Sequence, residues 1–344
     1  VLFTLILVIL MPVSSISKTY YVSLKGDSTA GTSWKTAWRD FSRIDWRVIN
    51  PGDKILVDGG ASQTVYESTL EIKKSGTKNK PITIKVSNET GRNGKVIIFG
   101  GRSIPLPYCY QEKYEYQTEG VRECGIKIDN YSWIVIDGMK WRGITIYGHN
   151  RYGVYLSSQS SNILIRNVEI YDNGEAFEGY FKQGVPYPDE KTGEKTGKWQ
   201  PFLPGVYLSG SGNTFERAIL HDNGEDSFQS EGGVHNFTLR ESWLYNTRKH
   251  PLREYATFNY DAHPDGIQIF DGGQMSGMLI EDCVFGPVGQ GLMLGSSPTK
   301  NEMQDLSGAT VNDVTIRNTL FYNCGNSILS GDNQPKNWTL ENVT

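Results

Sequence analysis

The sequence is poor in cysteine, and beyond its first residues it has no long hydrophobic run. Its 344 residues include 4 Cys, with no Cys-x-x-Cys pair and no Cys/His spacing typical of a zinc site. An excess of positive charge is absent too: the net charge is −4, which argues against a nucleic-acid partner. After the N-terminus, no segment is apolar enough to cross a membrane.

The N-terminal stretch VLFTLILVILMPVSSIS is apolar and ends in small residues. It is too short to span a bilayer, so we interpret residues 1–17 as a signal peptide, with an uncleaved anchor as the alternative. The protein is therefore expected to be secreted or at the cell surface. We expect a monomer with no membrane association after cleavage.

One sequence pattern recurs along the chain from residue 125 onward. Each copy contains Gly or Ser, a short strand with alternating apolar residues, a polar turn, and a second strand ending near Asn. Alternation with a period of two predicts strands rather than helices. The copies are GIKIDNYSWIVIDGMKW from 125, GVYLSSQSSNILIRNVEIYDN from 153, GVYLSGSGNTFERAILHDN from 205, SFQSEGGVHNFTLRESWLYN from 227, GIQIFDGGQMSGMLIEDCVFGP from 266, and GLMLG from 291 with DVTIRNTLFYN from 313.

A unit of roughly 22 residues built from short strands and polar corners is typical of a solenoid. Leucine-rich repeats have a similar period, but their fixed L-x-x-L-x-L frame is absent. We predict an all-β fold, a right-handed parallel β-helix over residues 61–344, with insertions at 174–200, 247–264 and 297–308. The sequence ends within a further copy, so we expect the β-helix to continue beyond Thr344.

Several second strands end in asparagine. Asn tolerates left-handed backbone and can hydrogen-bond along a stack of coils, so we interpret these residues as structural corners. They are Asn173, Asn223, Asn246 and Asn323.

Residues 18–60 are predicted to cap the N-terminal end of the solenoid, where an open coil would otherwise expose the core. Residues 34–49 read as an amphipathic helix, which Asn50-Pro51-Gly52 would end before the strand KILVDGG. The apolar positions of this helix include Trp38, Phe41, Ile44, Trp46 and Val48.

The N-terminal order of motifs resembles that of secreted β-helix polysaccharide lyases and their relatives, the pectate-lyase-like proteins. The motifs are YYVS, a Gly-Thr and Trp, the predicted helix, NPGDKILVDGG, VYESTLEI and SGTKNKPITIK, within residues 19–86. The resemblance implies a β-helix fold, export and action on polysaccharides. Hydrolases, epimerases and binding proteins share this scaffold, so it implies activity less strongly.

Two branches of these proteins have signatures that this sequence lacks. We recognise in it neither the combined Lys-Ser and Arg signatures of alginate and chondroitin lyases nor the Asn-Thr-Asp, Asp-Asp, Gly-His-Gly and Arg-x-Lys set of polygalacturonases. No catalytic residue is therefore carried over from a relative, and candidate residues come from the repeat itself.

Equivalent positions of successive coils stack about 4.8 Å apart in a β-helix. Aligning the first strands gives an outward column rich in tyrosines and amides, which suits sugars, although an ordinary solvated face would look similar. The column contains Lys127, Tyr155, Tyr207, Gln229, Gln268 and Met293. We assign substrate binding to Tyr155, Tyr207, Gln229, Gln268 and the nearby His235.

Two acids occupy matching positions in neighbouring copies. EDSFQSEGG and PDGIQIFDGG align Asp226 with Asp265, whereas the next coils carry Gln290 and Asn326 at this position. The scaffold does not require acids there. Two carboxylates one coil apart repel each other unless a proton, a cation or a basic residue compensates.

Three chemistries fit this pair. A hard cation such as Ca²⁺ could be bound by Asp226 and Asp265 with help from Glu225, Glu231 or Asp271, and would bridge the carboxylates of an acidic polysaccharide. Alternatively, Asp226 and Asp265 are the acid and nucleophile of a glycosidase, since one-coil spacing is close to the ~5 Å of retaining enzymes. In the third interpretation both are structural and cap turn N–H groups.

The insertion TRKHPLREYATFNYDAHP at 247–264 lies between the two acid-bearing copies. Elimination on a uronate needs a cation for its carboxylate, a base for the C5 proton and an acid for the leaving oxygen. Arg248, Lys249 or Arg253 could supply the first role, and His263, His250 or Tyr260 the others.

These features predict a secreted enzyme that cleaves a uronic-acid polysaccharide by β-elimination, with Ca²⁺ as the candidate cofactor. The predicted catalytic residues are Asp226, Asp265, His263, Arg248, Lys249, Arg253 and Tyr260. The alternatives are a glycoside hydrolase using Asp226 and Asp265, and a non-catalytic glycan-binding surface protein.

Overall fold

The computed structural model describes residues 16–102, 120–174, 203–224, 226–230, 233–246, 265–269, 274–294, 310–330 and 336–344. Across these residues the chain is almost entirely β-structure, and its single helical element is the 3₁₀ turn Phe41–Arg43. No helix within the described ranges has the length and apolarity needed to cross a bilayer. The predicted signal peptide lies, up to residue 15, outside them.

Within these described ranges, twenty-four strands line three faces of a solenoid. Face one consists of β4 (Leu70–Ile72), β7 (Cys124–Ile128), β10 (Tyr152–Leu156), β12 (Val206–Tyr207), β15 (Phe228–Ser230), β18 (Asp265–Ile269), β21 (Val288–Leu294) and β23 (Cys324–Ser330). Face two consists of β1 (Thr19–Val22), β2 (Lys54–Val57), β5 (Ile82–Val86), β8 (Ser132–Asp137), β13 (Gly210–Ser211), β16 (Val234–Arg240), β19 (Gln274–Glu281), β24 (Thr339–Val343) and the first parts of β11 (Ser161–Tyr171), β14 (Thr214–His221) and β22 (Thr310–Phe321). Face three consists of β3 (Gln63–Tyr66), β6 (Lys95–Phe99), β9 (Ile144–Tyr147), β17 (Trp243–Tyr245), β20 (Val284–Phe285) and the later parts of β11, β14 and β22.

The strands of neighbouring coils pair in parallel. On face one, Tyr155 pairs with Lys127 on one side and Tyr207 on the other, and the same column continues through Gln229, Gln268 and Met293. The predicted parallel β-helix and the predicted register of this column are therefore confirmed.

The core is a stack of aliphatic and aromatic side chains inside the coils. The residues on either side of the outward column are fully buried, and each large side chain removed from water contributes roughly 1.5–3 kcal/mol. On face one the stack contains Ile126, Val154, Val206, Phe228, Ile267 and Leu292.

The helical cap predicted at 34–49 is wrong. Asp40 and Asp45 accept hydrogen bonds from the N–H groups two residues ahead, at 2.8 and 3.1 Å, which holds the backbone in turns instead of a continuous helix. Trp38 and Phe41 are nevertheless buried, as are Ile44 and Trp46, whereas Val48 is exposed. The apolar side chains of this segment therefore pack into the core from turns rather than from a helix.

The corners between faces three and one contain the predicted asparagines. Asn173 and Asn223 are buried, and the N–H of Asn173 donates to Oδ1 of Asn223 at 3.2 Å, which links two coils. The left-handed backbone lies one residue earlier, at Asp172 and Asp222, with φ of 53° and 48°. Asn323 itself has a φ of 50°. These asparagines are therefore structural, as interpreted from the sequence. At the first two corners, however, Asn173 and Asn223 make the hydrogen bond between coils, and the preceding Asp172 and Asp222 adopt the left-handed backbone.

Face two carries a ladder of alternating charge that sequence reasoning missed. Nη2 of Arg166 lies 2.8 Å from Oδ2 of Asp137, and Nε of Arg240 lies 3.0 Å from Oε2 of Glu216. Each member between the two ends of the ladder has opposite charges on both neighbouring coils, which favours this register over a shifted one. In order, the ladder is Lys85, Asp137, Arg166, Glu216, Arg240, Glu281, Arg317 and Glu341.

Face three carries a stack of aromatic rings from successive coils. Phe99, Tyr147, Tyr171, His221 and Tyr245 follow one another with ring centroids 4.8 to 5.1 Å apart. The imidazole of His221 therefore lies between two tyrosine rings in nearly parallel planes.

His221 also lies between two carboxylates. Its Nδ1 is 2.9 Å from Oδ2 of Asp222, and its Nε2 is 3.5 Å from Oε1 of Glu169. Burial opposes its charge, but the bonds to Asp222 and Glu169 outweigh burial and raise the pKa of His221. Burial likewise opposes the charge of Glu169, yet His221, Arg142 and Lys95 lower its pKa to about 2.

We predict that replacing His221 by Phe, which keeps an aromatic ring in the stack, destabilises the protein most at low pH. A raised pKa gives stability that is fully present below the ordinary histidine pKa of about 6.5 and is lost as pH rises through the folded value. Urea unfolding between pH 5.5 and 9 should show the difference between wild type and His221→Phe shrinking with pH. Tyr245→Phe is the control, whose difference should not vary over this range.

Candidate active site on face one

Asp265 lies at the first position of β18, directly before Gly266. A Cβ at Gly266 would lie 2.4 Å from the carbonyl oxygen of Gly291 and 2.5 Å from Cδ1 of Phe285, a core side chain. Gly266 therefore faces the interior, as does Ile267 after it. Two consecutive inward residues break the alternation of the strand, and Asp265 projects on the outward side with Gln268.

Asp226 occupies the corresponding position one coil earlier. The pairing of Phe228 with Ile267 puts Asp226 opposite Asp265, and both side chains are at most 1% exposed. Oδ1 of Asp226 accepts the backbone N–H of Asp265 at 2.8 Å, and Oδ2 accepts from Nε2 of Gln229 at 3.2 Å. Asp226 thus caps the start of the next strand, as the structural interpretation expected.

These contacts bear on the glycosidase alternative. A general acid must carry a proton to the leaving oxygen, whereas Asp226 accepts a hydrogen bond at each of its oxygens. A carboxylate has about four lone-pair sites, so Asp226 can still accept further bonds or a cation. The hydrogen bonds around Asp226 therefore suit the role of a carboxylate that binds a cation better than the role of a general acid.

Gln290 follows Asp265 in the same column, and Asn326 follows Gln290. Gln290 is 8% exposed, and its Oε1 is buried and accepts no hydrogen bond from the residues that the structure describes. A buried oxygen without a partner costs roughly 1–3 kcal/mol. Gln290 lies one coil from Asp265 and two coils from Asp226, and its amide oxygen is a hard donor of the kind that Ca²⁺ prefers.

The other predicted ligands cannot be located. Glu225, Glu231 and Asp271 lie outside the described residues, and no group of three or more His, Cys, Asp or Glu that could hold a metal occurs within them. The donor set that can be described is thus Asp226, Asp265 and the Gln290 amide, which fits a calcium ion only if further ligands join it.

The insertion 247–264 also lies outside the described residues, together with its predicted catalytic side chains. These are Arg248, Lys249, His250, Arg253, Tyr260 and His263. Its flanking residues, Asn246 and Asp265, are described. Because Asp265 directly follows residue 264, the insertion is joined in sequence to one member of the carboxylate pair.

The outward column beside the acids is a continuous polar and aromatic surface. Nε2 of Gln229 donates to Oε1 of Gln268 at 3.1 Å, which links the two acid-bearing coils. Tyr207 is the next member, and its ring stacks on that of Tyr155 with centroids 5.3 Å apart and an interplanar angle of 16°. Tyr152 packs against both rings at 5.6 and 5.4 Å, which fixes their orientation.

His235 is separated from this column. It lies on β16 of face two, where its Nδ1 is 2.9 Å from Oγ of Ser276. The structure brings together Asp226, Asp265, Gln229 and Gln268. The sequence placed Gln290 in the column after the two acids but did not assign it to the site. Its position there could have marked it as a candidate ligand.

Comparisons with known proteins agree with this fold. A family model described as a right-handed β-helix region matches residues 116–272. Pectate lyase L of Dickeya dadantii (strain 3937) is 23% identical over 343 residues, which cover 96% of this chain and 72% of that one. Pectate lyase L of Dickeya chrysanthemi is 22% identical with the same shares. The crystal structure of pectate lyase Pel9A superposes with a TM-score of 0.52 at 16% identity, covering 93% of this chain and 80% of that one.

We predict that Gly266→Ala destabilises the protein by about 1–3 kcal/mol, because the new methyl group would overlap Phe285 and the main chain of the next coil. Ser227→Ala is the matched control, since Ser227 occupies the equivalent position one coil earlier and already has a Cβ. It should cost less than about 1 kcal/mol. Equal losses in urea unfolding would contradict the inward placement of Gly266.

Proposed function

We propose that this chain, a right-handed β-helix protein of the pectate-lyase-like kind, is an exported polysaccharide lyase. The substrate would be a uronic-acid polymer bound along face one and cleaved by β-elimination beside Asp226 and Asp265. The observation that carries the proposal is the pair of outward, buried carboxylates on adjacent coils, followed in the same column by the Gln290 oxygen, which accepts no hydrogen bond within the described part of the chain.

Two carboxylates on adjacent coils repel each other unless positive charge lies nearby, and a uronate substrate brings a further negative one. We propose Ca²⁺ as this charge, held by Asp226, Asp265 and Gln290 together with ligands from Glu225, Glu231 or Asp271. A bound calcium ion would neutralise the substrate carboxylate and so make the C5 proton more acidic. The orphaned amide oxygen supports a cation more than it supports a proton shared between the acids.

The chain's own residues would do the remaining work. Asp226 fixes the start of β18 through the N–H of Asp265, which holds both carboxylates on adjacent coils. Gln229 and Gln268, bonded to each other, present amide groups to sugar hydroxyls. We propose that the insertion 247–264 supplies the base for the C5 proton and the acid for the leaving oxygen, from His263, His250 or Tyr260. Arg248, Lys249 or Arg253 would add positive charge.

The reaction type can be tested with a panel of acidic polysaccharides. β-Elimination leaves an unsaturated product absorbing near 235 nm, so we expect absorbance to rise on at least one uronic-acid polymer. In Asp265→Asn the rate should fall on the order of 100-fold. Asn326→Ala, two coils further along the column, is the control and should retain activity. New reducing ends without this absorbance would indicate a hydrolase, and binding without either product would indicate a glycan-binding protein.

Removal of calcium is the second test. We predict that EDTA lowers both activity and melting temperature, because a ligand that binds only the folded state stabilises it by mass action. Restoring Ca²⁺ should restore both. If EDTA changes neither, the calcium proposal is wrong.

Gln290→Met tests the orphaned oxygen directly. Methionine is similar in length but has no carbonyl, so calcium affinity measured by titration calorimetry should fall about tenfold. The calcium-free protein should be equally stable or more stable, because a buried unpartnered oxygen has been removed. Unchanged calcium affinity would remove Gln290 from the site.

A further inference from the structure

A pocket of ≈ 270 Å³ lies where face one turns into face two, beside the stacked Tyr155 and Tyr207. It is formed by the turns that follow β7, β10 and β12, so three successive coils contribute to its wall. Tyr207 pairs with Gln229, which is bonded to Asp226. The pocket therefore borders the face that carries the carboxylate pair, one to two coils or about 5–10 Å away along the axis, but it lies where the strands end, whereas the pair lies where they start.

The chemistry of the pocket differs from that of the carboxylate pair. Its polar groups are the carboxylate of Asp129, the amides of Asn130 and Gln159, and serine hydroxyls. Among the described residues, no Lys, Arg or His lines it. The nearest basic member of the column, Lys127, pairs with Tyr155 but does not line the pocket.

This lining disfavours a uronate. The carboxylate of a uronic acid would face Asp129, and no cation among the described lining residues offsets the repulsion between the two like charges. Sugar hydroxyls, by contrast, can donate to the Asp129 oxygens and both donate to and accept from amides and serines. The tyrosine rings offer an apolar surface to the C–H face of a sugar.

Tyr155 contributes a hydrogen-bond donor as well as a ring. Burial, followed by the negative charge of Asp129, raises the pKa of Tyr155, so its phenol keeps its proton at all physiological pH values. Its ring is held by Tyr152 and Tyr207, which reduces the entropy lost when a sugar binds.

We propose that this pocket binds a neutral sugar residue, so that the substrate is a heteropolysaccharide carrying uncharged sugars near the uronic acid that is cleaved. This proposal rests on the lyase function above in treating the polysaccharide as a substrate. Binding of a neutral sugar in the pocket does not depend on that function. Acid recognition and neutral-sugar recognition would then be divided between two positions on one face.

Titration calorimetry with purified oligosaccharides tests this binding without turnover. Neutral gluco-, galacto-, manno-, xylo- and arabino-oligosaccharides would be compared with oligogalacturonates, using wild type, Tyr155→Ala, Asp129→Asn and Asp129→Lys. At least one neutral oligosaccharide should bind wild type, and Tyr155→Ala should weaken that binding about tenfold. Asp129→Lys should raise the affinity for oligogalacturonate relative to the neutral ligand by a similar factor. Tyr245→Ala, which removes an outward tyrosine from face three, is the control and should leave binding unchanged.

The outcomes separate this inference from the lyase function. If no neutral oligosaccharide binds, or if Tyr155→Ala and Asp129→Asn both leave binding intact in folded protein, the neutral-sugar site is wrong even where lyase activity is found. If the binding of a neutral oligosaccharide depends on Tyr155 but no polymer yields absorbance near 235 nm, the lyase proposal is wrong and the neutral-sugar site is supported. Thermal melting monitored by circular dichroism identifies variants that fail to fold.

Discussion

Parallel main-chain hydrogen bonding between successive coils is the constraint on which the rest of the molecule depends. It fixes which residue of one coil lies opposite which residue of the next, so that a single outward position becomes a column of side chains. The core stack, the charge ladder, the ring stack and the carboxylate pair are all columns of this kind. Groups distant in sequence become neighbours because the backbone is in register, without long loops to position them.

The sequence was sufficient for the β-helix and for the register of face one, because period-two alternation and repeated Gly or Ser positions survive in every copy. The N-terminal cap could not be predicted correctly: Trp38 and Phe41 have helical spacing, but the local bonds of Asp40 and Asp45 decide the backbone. Alignment also predicted the pairing of Asp226 with Asp265. It could not show that Asp226 caps a main-chain N–H or that the Gln290 oxygen accepts no hydrogen bond from the residues the structure describes, because both depend on side-chain direction.

The carboxylate pair illustrates how a repeat acquires a special position. At most strand starts of face one the outward side chain is apolar or an amide, as at Tyr152 and Gln290, and the acids occur on two adjacent coils. The scaffold supplies the same geometry to every coil through an inward small residue, Gly266 or Ser227. Chemistry can then be changed by substitution at this one position, although at Asp226 the side chain also bonds the main chain of the next coil.

The alternating ladder of face two has an evolutionary consequence. Solenoids grow and shrink by duplication and loss of repeat units. Loss of the unit that carries Arg240 would place Glu216 beside Glu281, and duplication of any one unit would place two equal charges together. Gain or loss of two units at once preserves the alternation. The ladder therefore acts as a parity rule, under which the number of coils in descendants of this protein should change by even steps.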